Sequence, residues 1–96
     1  MPRFRLDPVD IHDHLAARMA QRGVRPEEVE AVVNGGWPAP DAKPGVEGRV
    51  MVFPYHDEWE GKTFAEKEVT VYYKRADDRM VILTAKARYG QKFPRG

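Results

Sequence analysis

The alternation of side chains between Lys67 and Gly90 constrains the fold more than any other feature of the chain. Two runs rich in β-branched and aromatic residues flank a short polar turn, which predicts two antiparallel strands joined as a hairpin. We expect Ala76-Asp77-Asp78 to form a three-residue loop, with Arg75 opposite Arg79. This register gathers the apolar side chains on one face, namely Val69, Val71, Tyr73, Val81, Leu83 and Ala85. A shift by one residue would mix the two faces, so the pattern specifies the register.

The opposite face of the predicted hairpin carries hydroxyl groups and charges. Its expected cross-strand pairs are Lys74 with Met80, Tyr72 with Ile82, Thr70 with Thr84, Glu68 with Lys86 and Glu66 with Arg88. One face therefore covers a core, and the other is free to meet a ligand.

Composition restricts the chain to one soluble domain. It has 96 residues, of which 42% are hydrophobic and 32% charged, enough for a single two-layer core. No apolar run approaches the ~20 residues of a membrane span, and the N-terminus lacks the apolar stretch of a signal peptide. Cysteine is absent, which excludes a disulfide framework. We therefore expect a cytoplasmic protein without membrane association.

The distribution of charge leaves two interpretations open. The formal net charge of +1 argues against strong non-specific binding of nucleic acid. Residues 79–96, however, contain five basic side chains and no acidic one. This segment either forms a local basic patch or is neutralised across the sheet by the acidic residues 57–68.

Helix signals precede the predicted sheet. Asp10 as N-cap and Gly23 as a left-handed stop predict a helix over Ile11–Arg22. A second helix is expected to start at Pro26 and to end within Asn34–Gly36.

The predicted sheet begins after a proline-rich loop. Residues 37–45 contain three prolines and are expected to be irregular, and Arg49–Tyr55 is expected to be the first strand. Arg3–Leu6 is a short candidate for a fourth strand. The single domain, residues 1–96, is thus divided into a helical half (7–35), the loop (37–45), an antiparallel sheet (46–90) and a tail (91–96). This order predicts an α+β fold with two helices on one face of a three- to four-stranded antiparallel sheet.

A first candidate site lies on the polar face of the hairpin. Lys86 and Arg88 are two residues apart and therefore share a face with Thr84 and Tyr72. Two cations could stabilise the charge of a phosphodiester in its transition state, and a tyrosine ring could stack on a base. The alternative is structural, with both cations held in ion pairs across the strands.

A second candidate site is a stripe on the first helix. His14, Arg18 and Arg22 follow a four-residue spacing, in which His14 would transfer a proton near neutral pH and Arg18 would bind phosphate. The alternative is a rim histidine beside two solvated arginines. If the helices cover the apolar sheet face, His14 and Arg88 lie on opposite sides of the sheet, so the two sites are rivals.

We expect no metal site. His12 and His14 are two residues apart on the first predicted helix and should point about 200° apart. Together with His56 and Asp57 they do not form the paired spacing of zinc ligands.

The helical half and the last strand resemble a known bacterial family. The matching features are His14-x-x-x-Arg18-x-x-x-Arg22 followed by Gly23-Val24, an acidic helix start at Pro26–Glu28, and a strand at Val81–Thr84. In these features the chain is similar to the small bacterial family called domain of unknown function 4258. That family is similar in layout to the RelE and BrnT group of ribonuclease toxins.

The resemblance implies a metal-independent endoribonuclease or an RNA-binding domain of a toxin–antitoxin pair, acting on RNA or on the ribosome without a cofactor. Lys86 and Arg88 would then contact phosphate, and Tyr72 and Tyr89 a base or sugar. A small antitoxin protein would be the partner. The alternative function is a non-catalytic interaction module, with a homodimer formed through the edge strand Arg49–Tyr55.

Overall fold

The computed structural model describes residues 3–96 and contains two helices followed by a four-stranded antiparallel sheet. A 3-10 turn, Pro8–Asp10, precedes helices α1 (Asp13–Arg22) and α2 (Pro26–Gly35), which are followed by strands β1 (Trp37–Pro38), β2 (Glu47–Trp59), β3 (Lys62–Ala76) and β4 (Arg79–Gly90). The strands are ordered β1-β2-β3-β4. The expected α+β fold is confirmed. None of the helices in residues 3–96 has the length and apolar character needed to cross a membrane.

Helix α1 starts two residues later than its sequence predicts. The N-cap is His12, whose Nδ1 accepts a hydrogen bond from the backbone N–H of Leu15 at 3.2 Å. The expected cap, Asp10, instead ends the 3-10 turn, where its carboxylate accepts from the N–H of Asp7. Because Pro8–Asp10 form a 3-10 turn, the helix begins only at Asp13. The predicted stop is confirmed, because Gly23 has a φ of +69°.

The two helices cover one face of the sheet and form the core with it. Leu15 and Met19 of α1 and Val29, Val32 and Val33 of α2 are buried against the sheet residues Val69, Val71, Tyr73, Ile82 and Ala85. Each fully buried aliphatic side chain contributes about 1.5–3 kcal/mol. This packing assigns the odd-numbered residues of β3 from Lys67 to Tyr73 to the helix side and the even-numbered ones between them to the opposite face.

The predicted hairpin register is wrong. Ala76 pairs with Arg79, so the turn has two residues, and Asp77 takes a φ of +56° that aspartate tolerates better than most residues. A bulge between Tyr72 and Tyr73 then accommodates one extra residue of β4. As a result Ile82 is buried while Val81 is 37% exposed.

The bulge also changes the polar pairs. Arg88 lies opposite Glu68, and Lys86 lies opposite Thr70. Beyond the bulge Ala85 lies on the core side of β4, as predicted, although it pairs with Val71 and not with Val69.

The first long strand extends beyond its predicted bounds. The strand continues to Trp59, and its connection to β3 is Glu60-Gly61, both with positive φ. Trp37–Pro38 lies in the loop expected to be irregular, yet it pairs with Val50 and Arg49 as the fourth strand.

Arg3–Leu6 is not a strand and lies along α2. Phe4 exchanges two hydrogen bonds with the Asn34 side chain, at 2.8 and 3.0 Å. The N–H of Leu6 donates to Glu30 at 2.6 Å. These side chains satisfy the backbone in place of a strand partner.

A buried ion pair joins both helices to β3. The Lys67 ammonium donates to Glu28 Oε1 at 2.7 Å and to the carbonyl oxygen of Gly23. Lys67 is 3% exposed and Glu28 is 6% exposed. The ammonium also lies 5.8 and 5.6 Å from the ring centroids of Tyr55 and Tyr89. The charge is therefore surrounded by compensating partners.

Candidate nucleic-acid interface

The open face of the sheet, opposite the helices, carries a cleft of about 640 Å³, which we name the central cleft. Val50, Glu68, Thr70, Lys86 and Arg88 from β2–β4 line it. Further lining residues come from the proline-rich loop (Trp37, Pro38, Pro40 and Asp41) and from the C-terminal segment (Pro94, Arg95 and Gly96). Glu68 and Thr70 of β3 reach this cleft together because strand side chains alternate. Two residues of the first candidate site, Lys86 and Arg88, therefore lie in the same cleft.

Asp41 connects two of the predicted site residues. Its carboxylate accepts a hydrogen bond from the Tyr72 hydroxyl at 2.8 Å and another from Lys86 Nζ at 3.1 Å. Lys86 Nζ also lies 5.3 Å from the centroid of the Tyr72 ring. Asp41 was not among the residues predicted from sequence, because nothing local relates a loop aspartate to a strand beyond the hairpin.

These contacts keep all three groups in their neutral-pH protonation states. The Tyr72 hydroxyl, followed by Lys86, lowers the pKa of Asp41. Burial raises the pKa of Tyr72. The pKa of Lys86 is raised mainly by its interaction with the Tyr72 hydroxyl and further by its hydrogen bond to Asp41. The group therefore presents an ammonium and a neutral phenol.

Arg88 provides the second cation of the cleft. Its Nε donates to Glu68 at 2.8 Å, and this bond raises the pKa of Arg88. Side-chain exposure is 63% for Arg88 and 12% for Glu68. Both cations are therefore held in ion pairs, as the structural alternative expects, but with different partners. Arg88 pairs with Glu68, and Lys86 pairs with Asp41. The Lys86–Asp41 pair is exposed, and exposed pairs contribute about 0–1 kcal/mol. Since 63% of the Arg88 side chain is also exposed, an incoming phosphate can reach either cation.

The central cleft continues into two smaller clefts of the open face. One, of about 260 Å³, shares Asp41 and is also lined by Lys43, Val46 and Tyr72. The other, of about 390 Å³, shares Arg95 and is also lined by His56, Glu66 and Lys92. From Tyr72 to Glu66 the strand spans about 20 Å at ~3.3 Å per residue. Sequence reasoning considered His56 only as a metal ligand and gave Arg95 and Lys92 no place in the site.

The second candidate site lies on the helix side, as its sequence predicts. His14 is exposed, and Arg18 contacts Gln21 at 3.4 Å. The ring of His14 stacks on that of His12, with centroids 6.1 Å apart. The expected opposite directions of these two rings are wrong because His12 caps the helix and does not follow its rotation. Within residues 3–96, no group of three metal-ligating side chains is present.

Arg22 and Tyr89 make structural contacts on this side. Arg22 donates to the carbonyl oxygen of Ala85 at 2.8 Å, and the Tyr89 hydroxyl donates to the carbonyl oxygen of Arg22 at 2.7 Å. The Tyr89 ring stacks on Trp59 at 4.7 Å, and burial raises the pKa of Tyr89 to about 12. The sheet therefore separates Tyr89 from Tyr72, and the predicted residues fall into two groups. Tyr72, Thr84, Lys86 and Arg88 belong to the open face, whereas His14, Arg18, Arg22 and Tyr89 belong to the helix side.

Comparison with models of known protein families, with curated proteins and with solved structures finds no match for the chain. The fold and the cleft therefore carry the functional argument.

Proposed function

We propose that the protein binds single-stranded RNA in the central cleft, with phosphates on Lys86 and Arg88 and a base stacked on Tyr72 in the adjoining smaller cleft. The observation that carries this proposal is that Lys86 and Arg88 line the central cleft, while the Tyr72 ring, 5.3 Å from Lys86 Nζ, lines the smaller cleft that shares Asp41 with it. Unpaired RNA is typically recognised on such surfaces, because aromatic side chains stack on the bases while cations follow the backbone. The continuation of the cleft along β3 suits an extended strand better than a compact ligand.

The arrangement supports binding more strongly than cleavage. RNA cleavage needs a group that accepts or donates a proton near neutral pH. The raised pKa values of Tyr72 and Lys86 make neither a base at that pH, His14 lies across the sheet, and His56 lines a smaller cleft that contains neither Lys86 nor Arg88. A RelE- or BrnT-like ribonuclease that is held inactive by an antitoxin remains the catalytic form of the proposal.

A protein-interaction module is the second candidate. Strand β1 pairs only with Arg49 and Val50, and within residues 3–96 no other strand covers the outer edge of β2. This edge favours a homodimer formed by strand addition. Pro54 and the irregularity between Pro54 and Asp57 shorten the usable edge, since proline has no N–H to donate. The dimer therefore ranks second.

The first experiment measures the affinity for a fluorescein-labelled single-stranded oligoribonucleotide by anisotropy at several salt concentrations. The test variant is Lys86→Ala plus Arg88→Ala. We expect at least a tenfold loss of affinity and a decrease of about 1.4 in the slope of log K against log salt, for two lost phosphate contacts. The control, Lys62→Ala plus Arg79→Ala, removes the same charge from outside the cleft. Equal losses in the two variants would contradict the proposed contacts.

A second experiment separates binding from cleavage. The protein is expressed from an inducible promoter in a bacterial host, and new RNA 5′ ends are mapped by primer extension. Growth arrest with discrete cuts that disappear in the Lys86/Arg88 variant would establish the ribonuclease form. Intact RNA together with binding in vitro is the result that we expect. A concentration-dependent dimer without RNA affinity would favour the interaction module.

A further inference from the structure

The segment after the last strand, Gln91–Gly96, folds back across the open face, and we name it the strap. One carboxylate holds two of its residues. Glu66 Oε1 accepts a hydrogen bond from the backbone N–H of Phe93 at 2.9 Å, and Glu66 Oε2 accepts one from the Arg95 guanidinium at 2.8 Å. Glu66 is on the open face of β3, so these bonds draw the strap over the sheet. The turn into the strap uses a φ of +57° at Lys92.

The ring of Phe93 packs against one of the two proposed phosphate-binding cations, Arg88, whose side chain stays 63% exposed. Its centroid lies 5.0 Å from the Arg88 guanidinium carbon. Gly90 makes this position possible, because a Cβ there would approach Phe93 Cζ to 2.9 Å. Pro94, Arg95 and Gly96 then line the central cleft. An RNA strand that follows Lys86 toward Arg88 would meet the strap.

We propose that the strap is a gate, held by Glu66, that closes the Arg88 end of the central cleft and must be released before RNA binds there. This inference rests on the proposed RNA-binding function. Side-chain exposure is 54% for Arg95 and 17% for Glu66, so the clasp lies at the surface. A gate that is closed most of the time lowers the apparent affinity by the fraction of molecules in which it is open. Weakening the strap therefore increases the affinity for RNA.

Two full-length variants test the gate. Phe93→Ala removes the ring over Arg88 without changing the net charge, and Glu66→Ala removes the acceptor for both clasping hydrogen bonds. We expect each to bind the oligoribonucleotide at least about threefold more tightly than the unmodified protein. Glu58→Ala is the control for Glu66→Ala, because it removes an exposed acidic charge from β2 outside the clasp. Its effect on affinity should be smaller.

Hydrogen exchange at the Phe93 amide reports on the clasp without RNA. We expect protection in the unmodified protein and its loss in Glu66→Ala. An unprotected Phe93 amide in the unmodified protein, or unchanged or weaker RNA binding by Phe93→Ala, would overturn the gate while leaving the proposed function intact. Absence of RNA binding in the unmodified protein and all variants would overturn the proposed function and the gate with it.

Discussion

Replacement of Lys67 by methionine tests how the helical layer is attached to the sheet. Lys67→Met keeps a long side chain but removes the ammonium that contacts Glu28 and the carbonyl oxygen of Gly23. The Glu28 carboxylate then stays buried, with the backbone N–H of Arg25 at 2.9 Å and the Arg25 guanidinium at 4.0 Å as its remaining partners. Strand β3 loses its ammonium contacts with Glu28 of α2 and with Gly23 at the end of α1.

The expected loss follows from the burial of the remaining charge. Breaking a buried pair by removing one partner destabilises a protein by about 3–5 kcal/mol. We expect about 3 kcal/mol, because Arg25 still solvates the carboxylate. For a domain of this size about 3 kcal/mol corresponds to a decrease in Tm of roughly 12–24 °C. The double variant Lys67→Met plus Glu28→Gln retains no buried charge, and we expect it to lose only about 1 kcal/mol.

Urea denaturation followed by tryptophan fluorescence measures these changes, since Trp59 stacks on Tyr89 beside the pair. Lys74→Met, at an exposed lysine of the same strand, is the matched control and should change stability by less than about 0.5 kcal/mol. A loss below about 1 kcal/mol for Lys67→Met, or a double variant as unstable as the sum of the single ones, would refute the reasoning.

Three further predictions concern the first helix, its C-cap and the strap. His12→Ala should lose about 1 kcal/mol of stability by removing the N-cap acceptor, whereas His14→Ala should change it by less than about 0.5 kcal/mol in the same urea assay. Gly23→Ala should lower stability by at least about 1 kcal/mol more than Gly61→Ala. Both glycines have positive φ, but only a Cβ at Gly23 would meet side-chain atoms, at 2.6 Å. Equal losses in the two variants would contradict this prediction. The backbone N–H of Phe93, followed by the guanidinium of Arg95, lowers the pKa of Glu66 from its ordinary 4.5. The clasp should therefore be fully formed above about pH 4.5 and be lost as the pH falls through the lowered value, which an NMR titration of the carboxylate would detect.

The predictions that succeeded depend on local pattern. The helix stop at Gly23 and the helix start at Pro26 are confirmed, as is the core face of β3 with Val69 and Val71. Each of these predictions depends on the type of one residue and on the spacing of the apolar residues near it. The sequence contains both kinds of information. The division of the candidate residues between two sides of the sheet follows from the same alternation.

The predictions that failed depend on competition between nearly equal alternatives. A two-residue turn with a bulge and a three-residue turn without one place the same β3 side chains and Ala85 on the core face and differ only at Val81–Leu83, three apolar residues among which periodicity does not distinguish. The N-cap at His12 was missed for a similar reason. Asp10 is the better cap by residue type, but the 3-10 turn before it delays the helix.

The contacts of the candidate site were decided by tertiary structure alone. Asp41 meets Lys86 from 45 positions away, and Glu66 meets Arg95 across 29. Such pairs arise because the sheet fixes where the loop and the strap can lie, and no local period encodes them. By itself the sequence determined the two helices, the three long strands in outline and the core face of β3, because burial of apolar surface acts on patterns only a few residues long. Only the folded chain decided which acids neutralise the cations and which segment packs against Arg88, since those choices depend on the positions of residues far apart in sequence.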